Sequence, residues 1–210
     1  MVDDSKSMDL KQARVAARAL FDFDFSQPIP KRAMELAQTL FKESDRGCVL
    51  VAASLLDEVL EGLLRAACDQ RPHVVTAAVD PLFKQPAAPL RSFWAKIQLA
   101  YAIRIVDGVA YAALEIIRKL RNAVAHGTGQ ASLTGTQVEG LVNELHQHMR
   151  LAVNAVGECA GDELEEVRSK KPDLSVPRGL DPVRLKFTFG VVFLWSMLTR
   201  GAPVTGGNDA

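Results

Sequence analysis

Apolar residues recur at three- and four-residue spacing along most of this chain, which is the signature of amphipathic helices. The clearest segment runs from about Asp45 to Ala67. There Val49, Leu50, Ala53, Leu56, Leu60, Leu63 and Leu64 form one wide stripe. Ser44 precedes it as an N-cap, and Asp45 places an anion in the first turn, where the helix dipole favours one. Upstream, Met8 to Leu20 and Lys31 to Lys42 show the same period, separated by "DFDFSQPIP", whose prolines break a helix. From Asp69 to Pro89 the pattern fails amid four prolines, and the expectation is a loop with room for one short helix.

Periodicity returns over Leu90 to Val106, with Phe93, Trp94, Ile97, Ala100, Tyr101 and Ile105 on a broad face. Asp107-Gly108 marks a break, and Val109 to Ala125 forms the next helix, ended by Gly127 and Gly129. A long helix is expected from Thr134 towards Val167, followed by a basic linker. Asp181-Pro182 suits a helix start, although Thr188, Val191, Val192 and Phe193 leave a strand open for the apolar tail. With no internal repeat and no alternation of strands and helices, the pattern predicts an all-α, multi-helix bundle forming a single domain. Its expected parts are N-terminal helices over 1–42, a helical core over 43–200 and a disordered tail over 201–210.

Composition narrows the function. The 210 residues carry 25 basic and 25 acidic side chains, so phosphate neutralisation over a broad surface is not expected. The three cysteines are odd in number and lie far apart, which suits reduced thiols in the cytoplasm. No His/Cys/Asp/Glu set has metal-ligand spacing, no phosphate-binding glycine loop is present, and no cofactor is expected. The N-terminus lacks the pattern of a secretory signal, and "FTFGVVFLWSML" is too short to span a bilayer. Nor does any helix pair have the pattern of a helix-turn-helix.

Two helices carry the polar residues of interest. Asp57, Glu61 and Arg65 are spaced by four and share one side, with Arg46 and Glu58 nearby. Arg118 and Arg121 share a side of the "IRKLRNAVAHG" helix. If the two sides face each other they form an acid–base seam, either a structural ion-pair network or a polar pocket. The candidate cluster is Asp45, Arg46, Asp57, Glu58, Arg118, Arg121 and His126. Arg121 and His126 are five residues apart, about 140° around an ideal helix, so they converge only across a bent helix end or between two subunits. The basic groups Lys11/Arg14/Arg18 and Arg168/Lys170/Lys171 with Arg178, Arg184 and Lys186 are expected to be solvated surface.

The blocks "ESDRGCVLVAASLLDEVLEGLLR", "RSFWAKIQLAYAIRIV" and "IRKLRNAVAH", in that order, resemble the mannitol operon repressor (MtlR) family. The resemblance implies a helical bacterial regulator of sugar-alcohol uptake without a recognised DNA-binding domain. It implies a homodimer that binds rather than catalyses, with a protein partner such as the phosphocarrier of the sugar phosphotransferase system. Whether nucleic acid is touched directly stays open. The last block also resembles HEPN domains. That resemblance implies the alternative of a metal-independent ribonuclease, of the kind found as a toxin with an antitoxin. Arg121, Asn122 and His126 would then be its catalytic residues, contributed from two protomers.

Overall fold

The computed structural model describes residues 31–71, 73, 75–126, 132–133, 135–160 and 181–200. These residues form seven helices and no strand. In chain order they are α1 (Lys31–Lys42), α2 (Asp45–Asp69), α3 (Thr76–Lys84), α4 (Phe93–Ala102), α5 (Gly108–His126), α6 (Thr136–Ala160) and α7 (Pro182–Arg200). The helix expected over Met8 to Leu20, the basic linker before Asp181 and the tail after Arg200 lie outside the described residues.

Local chemistry fixes the starts. The Ser44 hydroxyl accepts from the Gly47 amide at 3.0 Å, and Ser92 does the same for Ala95 at 3.1 Å. Asp107, read as part of a break, caps α5 by accepting from the Ala110 amide at 2.7 Å. Asp181 accepts from Val183 at 2.6 Å, with Pro182 in the first helical position.

α5 lies at the centre and packs against α2, α4, α6 and α7. Its Ala113, Leu114, Ile117, Leu120 and Val124 are fully or almost fully buried. α2 faces it with Val49, Ala52, Ala53, Leu56 and Leu60. α7 closes the bundle against α6, α1 and α2. The strand left open for the tail does not form. Val183, Phe187, Val191, Leu194 and Leu198 are buried at helical spacing, so packing of that stripe outweighs the β preference of single residues. Gly190 lets α7 come close to α6, since a Cβ there would lie 3.1 Å from Leu145 Cγ.

One segment fills out the sequence reading and one departs from it. α3 occupies the proline-rich stretch and contains Pro81. The lost donor is offset by burial of Val79 and Phe83. In α4 the inward face is Phe93, Lys96, Ile97 and Ala100. Trp94 and Tyr101, expected inside, are exposed.

α4 also ends in an unusual way. The Arg104 amide bonds the Tyr101 carbonyl at 3.0 Å and the Ile105 amide bonds the Ala100 carbonyl at 2.8 Å. This pair of bonds defines a Schellman motif, whose left-handed position is usually glycine. Here Arg104 holds it at φ 60°. Arg104→Gly is therefore expected to stabilise the fold by about 0.5–1 kcal/mol. A urea titration that shows a lower midpoint for the variant would contradict this.

Candidate functional site

The candidate polar residues occupy three places rather than one. The first is the N-terminus of α2. The Asp45 carboxylate accepts from the Ser132 hydroxyl at 3.1 Å, the Leu133 amide at 3.0 Å and Arg184 at 3.2 Å. It thus ties α2 to the segment before α6 and to α7. The neighbouring Arg46 donates to the Ala125 carbonyl at 3.3 Å, satisfying a carbonyl at the C-terminal end of α5.

Arg184 corrects an expectation. It is not solvated surface: its side chain is only 11% exposed. Its guanidinium donates to the carbonyls of Leu40, Phe41 and Glu43 as well as to Asp45. The guanidinium fork caps the end of α1, where the last carbonyls have no partner of their own. Lys186, grouped with it, donates to Asn143 of α6 at 2.8 Å. Cys48, beside this junction, is fully buried. Burial pushes its thiol up to about 12 against the opposing pull of Arg184, so the thiolate is not available as a nucleophile near neutral pH.

The second place is the acidic side of α2. The sequence leaves open whether it faces Arg118 and Arg121, and the structure turns it to α4. Lys96 lies 2.9 Å from Asp57 and 2.9 Å from Glu61, with its own side chain 5% exposed. Glu61 also pairs with Arg65 at 2.9 Å. Arg65 continues to Asp80 of α3 at 2.7 Å and lies 4.3 Å above the Phe83 ring. Burial by itself would raise the Glu61 carboxyl. The hydrogen bonds and charges of Lys96 and Arg65 outweigh it and hold the pKa below its ordinary value. The result is a chain of charges joining α2, α3 and α4. Glu58 is exposed and stands outside it. Lys96 went unnoticed in the sequence. Its signal is a lone cation within "FWAKIQLAYA", three residues after Phe93 and four before Ala100.

The third place is the outer side of α5. Arg118 pairs within its own helix with Glu115 at 2.8 Å. Glu115 in turn accepts from Gln98 of α4 at 3.4 Å. Arg121 is half-buried. Asn122 is exposed and lines an open groove of about 600 Å³ between α5 and α6, with Lys119, Thr136, Gln137 and Glu144. α5 remains helical through His126, whose side chain lies outside the described residues. Positions 121 and 126 are thus about 140° apart around a regular helix. The bent helix end needed to bring them together in one protomer is absent.

This arrangement is rich in paired charges. Among the described residues no three His, Cys, Asp or Glu side chains are placed to hold a metal, and no helix is long and apolar enough to cross a membrane.

No curated protein matches the chain. Among solved structures, the X-ray structure of the MtlR–HPr complex from Escherichia coli contains a similar chain, with a TM-score of 0.57 and 19% identity. The match covers 82% of this chain and 99% of that one, and it supports the helical bundle. The family model described as mannitol repressor matches residues 36–170, from within α1 to beyond α6. The chain therefore belongs to the mannitol repressor family.

Proposed function

We propose that this protein regulates a sugar-alcohol uptake operon of the mannitol type by binding a protein partner, and that it has no catalytic step. The observation that carries the reading is the family match over residues 36–170. The similar chain from Escherichia coli was solved in complex with HPr, which favours a phosphocarrier as the partner class. The polar side chains are consistent with this reading. Asp45, Asp57, Arg65, Lys96, Arg118 and Arg184 each have a charged partner, and such pairing holds helices together.

Deleting the gene tests the regulatory claim. Transcripts of the sugar-alcohol uptake operon are expected to rise in the absence of the inducing sugar. Unchanged transcripts under every carbon source would remove the reading. Incubation of the pure protein with RNA, without metal, is expected to leave the RNA intact. Cleavage lost in both Arg121→Ala and His126→Ala would favour the ribonuclease alternative instead.

A further inference from the structure

The outer face of α4 combines three features that the fold itself does not require. The first is exposed apolar area on one short element. Trp94 is 54% exposed, Tyr101 46% and Ile103 39%. Trp94, Gln98 and Tyr101 follow at spacings of four and three, so they share one side of the helix. The buried side, with Phe93, Ile97 and Ala100, lies about 100° around the helix from it.

The second feature is order. Tyr101 stacks on Tyr111 of α5, with ring centroids 4.3 Å apart. Gln98 donates to the Tyr111 hydroxyl at 3.1 Å. A surface already held in one arrangement loses little side-chain freedom when a partner arrives.

The third feature is charge. Residues 81–106 contain no Asp or Glu. Of the four cations there, Lys84 is paired with Asp80 and Lys96 with Asp57 and Glu61. Asp107, three residues after Arg104, caps α5 through the Ala110 amide, and Glu115 of α5 is occupied by Arg118 and Gln98. Arg91 and Arg104 therefore flank the aromatic face without a carboxylate partner among the described residues. The Arg91 guanidinium donates to the Pro86 carbonyl at 3.0 Å. Arg104 occupies the left-handed position where glycine would cost the fold less. A costly arginine at the edge of an exposed aromatic patch points to a role outside folding.

We infer that the outer face of α4 (Trp94, Gln98, Tyr101 and Ile103, between Arg91 and Arg104) is the docking surface for a protein partner that presents an acidic surface around an apolar centre. The inference rests on the partner-binding reading above. Tryptophan, tyrosine and arginine are the residues that dominate protein interfaces. A nucleic-acid duplex fits less well, because tight binding of that kind uses roughly 6–10 phosphate contacts and this face offers two free cations. A second copy of the chain also fits less well. In a symmetric contact Arg91 and Arg104 would meet one another's copies, with no acid in the segment to answer them.

The probe is the phosphocarrier protein of the same organism, titrated calorimetrically into the full-length chain and its variants. Trp94→Ala, Tyr101→Ala and Arg104→Gly are each expected to weaken binding about tenfold or more. Wild-type affinity is expected to fall as salt rises. Arg104→Gly separates binding from folding, because its melting midpoint should rise while its affinity falls. If wild type binds and these variants bind equally well, the inference is overturned and partner binding itself stands. A wild type that does not bind removes both. Loss of self-association in Trp94→Ala, with partner affinity unchanged, would assign the face to a second copy and also overturn the inference.

Discussion

Lys96→Met is expected to destabilise the fold by roughly 3 kcal/mol, because it removes the cation that two carboxylates share. Methionine fills a similar volume, so the loss measures charge rather than a cavity. Lys96 lies 2.9 Å from both Asp57 and Glu61 and is almost fully buried. Without it the two acids stay close together on α2, and Asp57 has lost its ion pair. Arg65 continues to hold Glu61, which keeps the loss below that of a fully stranded pair. The sign of the pH dependence follows from Glu61. Its folded pKa is held below the ordinary 4.5, so its contribution is present above about that pH and is lost as pH falls through the lower folded value. The gap between wild type and variant should therefore be widest near neutral pH and should narrow in acid. Urea titrations at pH 7 and pH 4 check both statements. A loss under about 1 kcal/mol at pH 7 would place Lys96 among ordinary surface pairs.

The second large effect is at Arg184. Arg184→Met should cost about 3 kcal/mol, since charge-assisted hydrogen bonds contribute roughly 1.5–3 kcal/mol each and this side chain makes several. It leaves the carbonyls of Leu40, Phe41 and Glu43 without their donor and frees one oxygen of Asp45. The damage should be local first. Amide hydrogen exchange in α1 is expected to accelerate more than exchange in α5, because α1 is held at the edge by α7 and α2 while α5 is packed from four sides. A double-mutant cycle with Asp45→Asn should show a coupling of about 1 kcal/mol. Equal exchange in α1 with and without Arg184 would show that the guanidinium does not anchor that helix.

These two residues also show where sequence reasoning stops. The period of three and four marked α2, Ser44 and Asp181 stand where helix starts were read, and Asp107 caps α5 where a break was read. Such signals are local, so the chain displays them directly. The partners of charges are not local. Periodicity placed Asp57, Glu61 and Arg65 on one side of α2 but could not say which helix comes to meet it. The structure brings α4 and its single buried lysine rather than the arginines of α5. Lysine and arginine are almost never buried unless paired, so an unassigned basic residue is read as surface. For Lys96 and Arg184 the pairing is supplied by elements 35 and 139 residues away. α3 was legible only as room for one short helix, because prolines argue against a helix and only the burial of Val79 and Phe83 outweighs them. In α7 single-residue preference suggested a strand, while the spacing of Val183, Phe187, Val191, Leu194 and Leu198 already held the helix.

Of the candidate site, Asp45, Arg46, Asp57 and Arg118 were found by sequence but occupy separate junctions. Trp94, Tyr101 and Arg104 emerged only from the structure. An aromatic in an apolar stripe is expected inside, and nothing in the sequence announces a left-handed arginine.

Isothermal titration of the full-length protein with the phosphocarrier of its own organism tests partner binding most directly. One-to-one binding is expected, weakening as salt rises, and unaffected by Arg121→Ala. No measurable binding at protein concentrations near 100-fold above a micromolar Kd, about the affinity expected of a transient regulatory contact, would contradict it.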